Sequence, residues 1–264
     1  MNPFKPNTQK KYGRKLIYSI KDEFGLIEVV EEDEYRSLHF GTKGKQSELY
    51  KSIPHAPSLD YIEAMLCGII FKQNPASVFF LGLGGGSLPY IIHHHYPTCE
   101  LTVFEIRPKI YEVAKKYFNF PVSEKINVRF GNGCSYLEKT EKLYDIIFID
   151  GYDHHGLSTA FQKAELGRMI GKQIRSGGMA IINLWYNCWD QIDELIALRQ
   201  DHTDFTILTK NMSDSGNQIF YVMNQNCLGA AKKTLVKFMQ GNCNNIVADF
   251  DNFIQEIKAE NSNY

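Results

Sequence analysis

Apolar and polar residues along the chain fall into two rhythms. Val78-Phe79-Phe80-Leu81, Leu101-Thr102-Val103-Phe104, Ile126-Asn127-Val128-Arg129-Phe130, Tyr144-Asp145-Ile146-Ile147-Phe148-Ile149 and Met179-Ala180-Ile181-Ile182-Asn183-Leu184 are short runs bounded by turn-forming residues. Runs of that length, rich in β-branched and aromatic residues, predict buried strands. Between them the apolar residues are spaced for one face of a helix: Ile62, Met65, Leu66, Ile69 and Ile70 after a cap at Ser58 or Asp60, a segment over 87–95, and Ile110, Val113, Ala114 and Tyr117 after Pro108. Proline suits a first helical turn, where its missing N–H has no intrahelical partner to lose. Strands alternating with helices predict an α/β domain with a parallel sheet. Further helices are expected over 161–175, 190–200, 228–239 and 246–259, and two more strands at 205–209 and 218–223. The connection 210–217 is too short for a helical crossover, so the last strands should be antiparallel. Ahead of this domain, runs at 16–20, 26–30 and 35–40 predict a small antiparallel sheet, and 41–57, carrying Gln46, reads as a polar connection. The chain thus divides into an N-terminal β region, 1–57, and an α/β domain, 58–264.

The run at 78–81 breaks into Gly82-Leu83-Gly84-Gly85-Gly86 and then into helix-like sequence. Strand, glycine turn and helix N-terminus leave backbone N–H groups open to a ligand. An acid, Glu105, ends the next strand about 20 positions after the glycines, where a ribose hydroxyl is usually held. Gly131-Asn132-Gly133 and Asp150 end the following two strands, and ligands of parallel sheets bind at such carboxyl ends. Together the four strand ends point to a nucleoside-bearing ligand. The Gly82-x-Gly84-x-Gly86 turn and one reversed strand resemble the fold of AdoMet-dependent transferases more than a nicotinamide-dependent dehydrogenase domain.

Composition narrows the partners. Of the 264 residues, 29 are Lys or Arg and 30 are Asp or Glu, so no net field draws nucleic acid or an anionic membrane. No apolar run approaches the ~20 residues of a membrane span. Basic residues follow Met1 without the apolar stretch of a secretion signal, and the six cysteines show no CxxC pairing. The expectation is a cytoplasmic protein with reduced, packed thiols and no metal site. His93-His94-His95 at a helix end reads as surface, or as cations favoured near the negative end of the dipole.

Five features, in this order, resemble the spermidine synthase family of polyamine aminopropyltransferases: Leu83-Gly84-Gly85-Gly86; Phe104-Glu105-Ile106 followed by Tyr111-Glu112-Val113-Ala114-Lys115-Lys116-Tyr117-Phe118; Gly131-Asn132-Gly133; Tyr144-Asp145-Ile146-Ile147-Phe148-Ile149-Asp150-Gly151-Tyr152-Asp153; and Gly177-Gly178. The resemblance implies an AdoMet-transferase-type, Rossmann-like, mainly parallel seven-stranded sheet with a small N-terminal antiparallel β domain. It also implies roles. Gly82, Gly84, Gly85 and Gly86 would cradle the donor, Glu105 bind ribose hydroxyls and Asn132-Gly133 meet the adenine. Asp150 would be the catalytic proton acceptor, while Asp153, with Tyr61 and Gln46, would hold a small-molecule amine. The donor would be decarboxylated AdoMet, a co-substrate, with no tightly bound cofactor, and a homodimer is the family's usual assembly. Two carboxylates three positions apart suit an ammonium that must be bound and then deprotonated before it attacks. The sulfonium is already a good leaving group, so the protein mainly supplies orientation.

The departures from the family pattern gather at the amine end. Ser87 stands where the family has an acid, Ile62 where it has a histidine, His154 where it has a proline, and Gly25 where a glutamine touches the donor. Asn132 replaces an aspartate, with an amide oxygen still able to accept from the adenine amino group. An acceptor other than putrescine is one consequence. A methyltransferase using AdoMet itself is another, because Ser87 no longer repels its carboxylate; a non-catalytic nucleoside-binding relative is a third. His154-His155 read as exposed loop residues, and Trp185, Tyr186 and Trp189 as either cavity wall or packing.

Overall fold

The computed structural model describes residues 10–72, 74–153, 156–157, 166–185, 205–212 and 216–224. Its N-terminal strands, β1 (Lys10–Lys11), β2 (Arg14–Asp22), β3 (Gly25–Glu31), β4 (Tyr35–His39) and β5 (Lys45–Tyr50), pair in sequence order as one antiparallel sheet. Strand β5 lies inside the stretch read as a polar connection. Its sequence, Lys-Gln-Ser-Glu-Leu-Tyr, lacks apolar alternation, yet Ser47, Glu48 and Leu49 are buried. Tertiary packing, not propensity, makes it a strand. Its pairing with β4 shifts register between Leu38 and His39, the kind of irregularity that re-aims a side chain.

The second sheet takes β6 (Ser77–Leu81), β7 (Glu100–Glu105), β8 (Ile126–Phe130), β9 (Tyr144–Ile149), β12 (Ile174–Trp185), β13 (Phe205–Met212) and β14 (Asn217–Asn224). Its seven strands run in the order β13-β14-β12-β9-β6-β7-β8. Strands β6 to β9 and β12 are parallel, and β14 alone is reversed between β12 and β13. This is the expected seven-stranded sheet with its antiparallel closing hairpin. A two-stranded ribbon, β10 (Tyr152–Asp153) with β11 (Gly156–Leu157), follows β9.

Alternation along the central strands sorts their side chains onto two covered faces. Val78, Phe80, Val103, Phe148 and Ile181 pack with α1 (Asp60–Cys67), α2 (Ser87–His95), α3 (Pro108–Tyr117) and apolar residues of the N-terminal sheet. Phe79, Leu81, Ile147 and Ile182 pack with α4 (Gly133–Lys139) and α5 (Leu166–Gln173). Helix α4 was not expected from the sequence. The expected cap of α1 is also corrected: Leu59 is the N-cap without a side-chain bond, while Ser58 Oγ donates to the Glu48 carbonyl at 2.7 Å. The expected helices at 190–200, 228–239 and 246–259 lie outside the described residues.

Burial raises the thiols of Cys67, Cys99 and Cys134 to about 12, so these are inert core groups. Of the histidine triplet, His94 and His95 are exposed as expected. Burial, then the neighbouring histidine charge, holds His93 and His95 below their ordinary range, which disfavours the cationic reading. Among the described residues no helix is long and apolar enough to cross a membrane.

Candidate active site

The strand order reverses between β6 and β9: β7 and β8 extend the sheet to one side of β6, β9 and β12 to the other. Loops leaving the carboxyl ends on either side diverge there and open a crevice. Three backbone bonds tie the strand ends together: Asp150 N–H to the Leu81 carbonyl (3.0 Å), Gly82 N–H to Phe104 (2.9 Å) and Gly131 N–H to Glu105 (3.0 Å). Over them lies a cavity of about 560 Å³, a size that suits a nucleoside-bearing molecule.

The structure brings Gln46, Tyr61, Gly82, Gly84, Glu105, Asn132, Gly133 and Asp150 onto one cavity wall. Gly82 is required there on two counts: its φ is +96°, and a Cβ would sit 2.2 Å from the Asp150 carbonyl oxygen. Gly85 and Gly86 do not line this cavity. They lie behind the turn, where a Cβ on Gly85 would meet Phe118 and Ser47 at 2.9 Å and one on Gly86 would meet Phe120 at 2.3 Å. Their small size serves packing. Strand β5 lies directly against the turn, Ser47 Oγ accepting from Gly85 N–H at 2.7 Å. Ser87, at the start of α2, lies 3.4 Å from the Glu48 carbonyl through its Oγ.

At one end of the cavity Glu105 is buried, and both of its oxygens accept backbone N–H groups, Leu83 at 3.1 Å and Arg107 at 2.9 Å. Burial pushes its carboxyl up, opposed by bonds from Arg107, Leu83 and Gly84 and by the Arg107 charge. Asn132 caps α4: its Oδ1 accepts from Cys134 N–H (2.9 Å) and Ser135 N–H (3.1 Å). The oxygen expected to meet adenine is therefore already engaged at the helix start, and the Asn132 backbone carbonyl accepts from Tyr136 N–H at 3.3 Å.

At the other end Asp150 accepts from Asn183 Nδ2 at 2.9 Å, and Asn183 Oδ1 in turn accepts from Asn217 Nδ2 at 2.7 Å. The Tyr61 hydroxyl donates to the Gln46 carbonyl at 3.5 Å and is near enough to Asp150 to favour its ionised form. Burial pushes the Asp150 carboxyl up to about 6, against these neutral donors. Burial, then the Asp150 charge, raises the Tyr61 phenol, which keeps it a hydrogen-bond donor. Sequence reading missed Asn183 and Asn217 as site residues; the available signal was a single amide interrupting an apolar strand. It also missed the cavity-lining cations Lys45 and Arg107. The Asp153 backbone belongs to β10, but its side chain, His154, His155, Tyr186, Trp189 and the side chain of Trp185 lie outside the described residues. No group of His, Cys, Asp or Glu among the described residues is placed to hold a metal.

The spermine/spermidine synthase domain matches residues 61–212. The chain is similar to a polyamine aminopropyltransferase of Neisseria meningitidis, 28% identical over 167 residues, covering 62% of this chain and 64% of that relative's length. It is also similar to the human eEF1A lysine and N-terminal methyltransferase, 27% identical over 168 residues, covering 53% of this chain and 24% of that protein. The spermidine synthase of Thermotoga maritima shares its fold, with a TM-score of 0.64, 19% identity, and 96% and 89% of the two chains covered.

Proposed function

Because the chain belongs to the spermine/spermidine synthase family, we propose that it transfers the aminopropyl group of decarboxylated AdoMet to putrescine or a related amine. The observation that carries this reading is Asp150. It is a carboxylate at the strand switch point, raised to about 6, with the Asn183 amide donating to it at 2.9 Å and the Tyr61 phenol nearby. A base with such a pKa is ionised at neutral pH yet able to take a proton.

Asp150 takes a proton from the substrate ammonium. The freed nitrogen lone pair forms a C–N bond to the methylene beside the sulfonium, and the C–S bond breaks with its electron pair on sulfur. The products are the elongated amine and 5′-methylthioadenosine; Asp150 returns its proton to water. Glu105 holds ribose hydroxyls, Asn132-Gly133 borders the adenine, and Gly82 and Gly84 let the donor lie against the turn. Tyr61 and Asn183 orient Asp150, and Gln46 and Asp153 complete the amine end. The protein's contribution is chiefly alignment of nitrogen, carbon and sulfur in water-poor surroundings. On this reading residues 58–264 are the catalytic domain, residues 1–57 wall the site, and the protein is a cytoplasmic homodimer joined through its N-terminal sheet.

A second reading, methyl transfer from AdoMet, is favoured by one observation. Ser87 puts no charge of its own beside the turn, and Lys45 on the wall is already paired with Glu48. Calorimetric titration with decarboxylated AdoMet and AdoMet, each with and without putrescine, separates the two. Tight binding of the decarboxylated donor, with methylthioadenosine released on adding amine, is the expected result. Preference for AdoMet would transfer the protein to the second reading, and binding of neither would remove both.

A further inference from the structure

Asn183 interrupts the apolar run of β12 and Asn217 opens β14; both are buried, and both line the cavity with Asp150. Ile219 stands opposite Asn183 in the antiparallel pairing, so Asn217, two positions before it, is a diagonal neighbour on the same face. Asn217 Nδ2 donates to Asn183 Oδ1 at 2.7 Å, and Asn183 Nδ2 donates to Asp150 Oδ1 at 2.9 Å. The three side chains thus form a chain with one direction. An ionised carboxylate only accepts, whereas an amide donates at one end and accepts at the other. The last torsion of an asparagine is roughly two-fold, so a half-turn of Asn183 keeps its shape and exchanges the two ends. With Oδ1 toward the acid, Asn183 could accept from a protonated Asp150 but would repel the ionised one. Asn217 opposes that half-turn, because it would set one Nδ2 donor against another.

We propose that Asn217 is a positioning residue: by donating to Asn183 Oδ1 it fixes the sense of that amide, so that Nδ2 faces Asp150 whether or not the acid carries a proton. The inference rests on the reading of Asp150 as the base and adds what keeps it one. Once Asp150 has taken the ammonium proton, an amide free to turn would accept that proton in a hydrogen bond and stabilise the protonated acid. The held amide offers it no such acceptor, so the proton passes to water and the acid is ready for the next amine. Among the described residues Tyr61, on α1, is the titratable group that reaches the acid. The cavity cations are paired elsewhere, Lys45 with Glu48 and Arg107 with Asp22, and neither the glycine turn nor β14 carries a charge. Neutral amides are left to set the proton affinity of Asp150.

Carbon-detected NMR titration of the Asp150 carboxyl in the full chain tests this without needing turnover. The parent acid should titrate near 6. N217L is close in shape and loses the donor, so the midpoint should rise by about half a unit to one unit. The acid limb of kcat/KM, followed as methylthioadenosine release from decarboxylated AdoMet and putrescine, should rise with it. N183L removes the amide that turns, so adding N217L to it should move the midpoint no further. N217S carries a hydroxyl that can donate or accept and so selects neither sense; it should shift the midpoint in the same direction, and it serves where N217L folds poorly. An unmoved midpoint in folded N217L or N217S, or an equal further shift in the N183L protein, would overturn the proposal and leave Asn217 as a brace between strands. A midpoint that moves as expected while Asp150→Asn keeps wild-type turnover would instead uphold the control of the amide and sink the base reading beneath it.

Discussion

Strand β9 carries a carboxylate at each end, and the two ends differ in the charge of their surroundings. Asp145, near the amino end, accepts from Ala76 N–H at 2.8 Å and Ser77 N–H at 3.1 Å, with Lys72 and Arg175 each 3.3 Å away. Burial opposes its ionisation, but these donors and cations hold it below the usual carboxylate range. Asp150, just past the carboxyl end, has among the described residues a neutral amide donor and a nearby phenol, and burial leaves it at about 6. One residue type thus yields a fixed charge at one end of the strand and a movable proton at the other. The acid at the amino end is tied to neighbouring strand ends and cations, and the acid at the carboxyl end lies without a cation among the described residues.

The sharpest way to break this contrast is Asp150→Asn. Turnover should fall by about 10²–10⁴, the scale of a lost general base, while methylthioadenosine affinity measured by calorimetry changes little. Wild-type-like turnover would remove Asp150 from the mechanism. The same variant should be the more heat-stable protein at pH 8. A carboxyl whose folded pKa is raised stabilises the fold below its unfolded value, and that contribution is lost as pH rises through about 6. Melting curves of the two proteins should converge near pH 4.

Glu105→Ala is expected to weaken methylthioadenosine binding by about 1–3 kcal/mol; unchanged affinity would show that Glu105 does not meet the ligand. Asp145→Asn should behave in the opposite sense to Asp150→Asn, costing about 1–3 kcal/mol in chemical denaturation with kcat and KM intact. The stabilisation from Asp145 is present above its unfolded pKa and lost as pH falls through the depressed folded one, so the gap between the proteins should narrow in acid. The smallest effect belongs to Asn183→Ala. It removes a donor to the ionised Asp150, so the acid limb of kcat/KM, centred near 6 in the parent, should move to higher pH by about half a unit to one unit. A limb that stays in place would show that Asn183 does not set the proton affinity of Asp150.

Much of this was legible in the chain. The apolar runs fixed the strands, the short 210–217 connection required the reversed strand, and the glycines, Glu105 and Asp150 marked three of the strand ends. What stayed hidden was set by contacts between distant segments. Strand β5 is a strand because the glycine turn and β4 cover it, not because of its own residues. Asn132 is a helix cap because α4 begins where no periodic apolar pattern announced a helix. Gly85 and Gly86 look like ligand-binding glycines in sequence, but their neighbours are Phe118 and Phe120. Asn183 and Arg107 meet their partners only when the sheet register and the β2–β3 hairpin bring residues from far along the chain.

The larger apolar cluster runs without a seam from Ile27 and Leu38 of the N-terminal sheet, through Met65 of α1 and Ile91 of α2, to Phe80 and Ile181 in the central strands. Its consequence is cooperativity. The N-terminal strands and the seven-stranded sheet share the interior that each needs, so neither is a separate thermodynamic unit. Heating should give one calorimetric transition whose van't Hoff and calorimetric enthalpies agree. A single protease cut between β5 and α1 should unravel the described fold rather than release a folded piece.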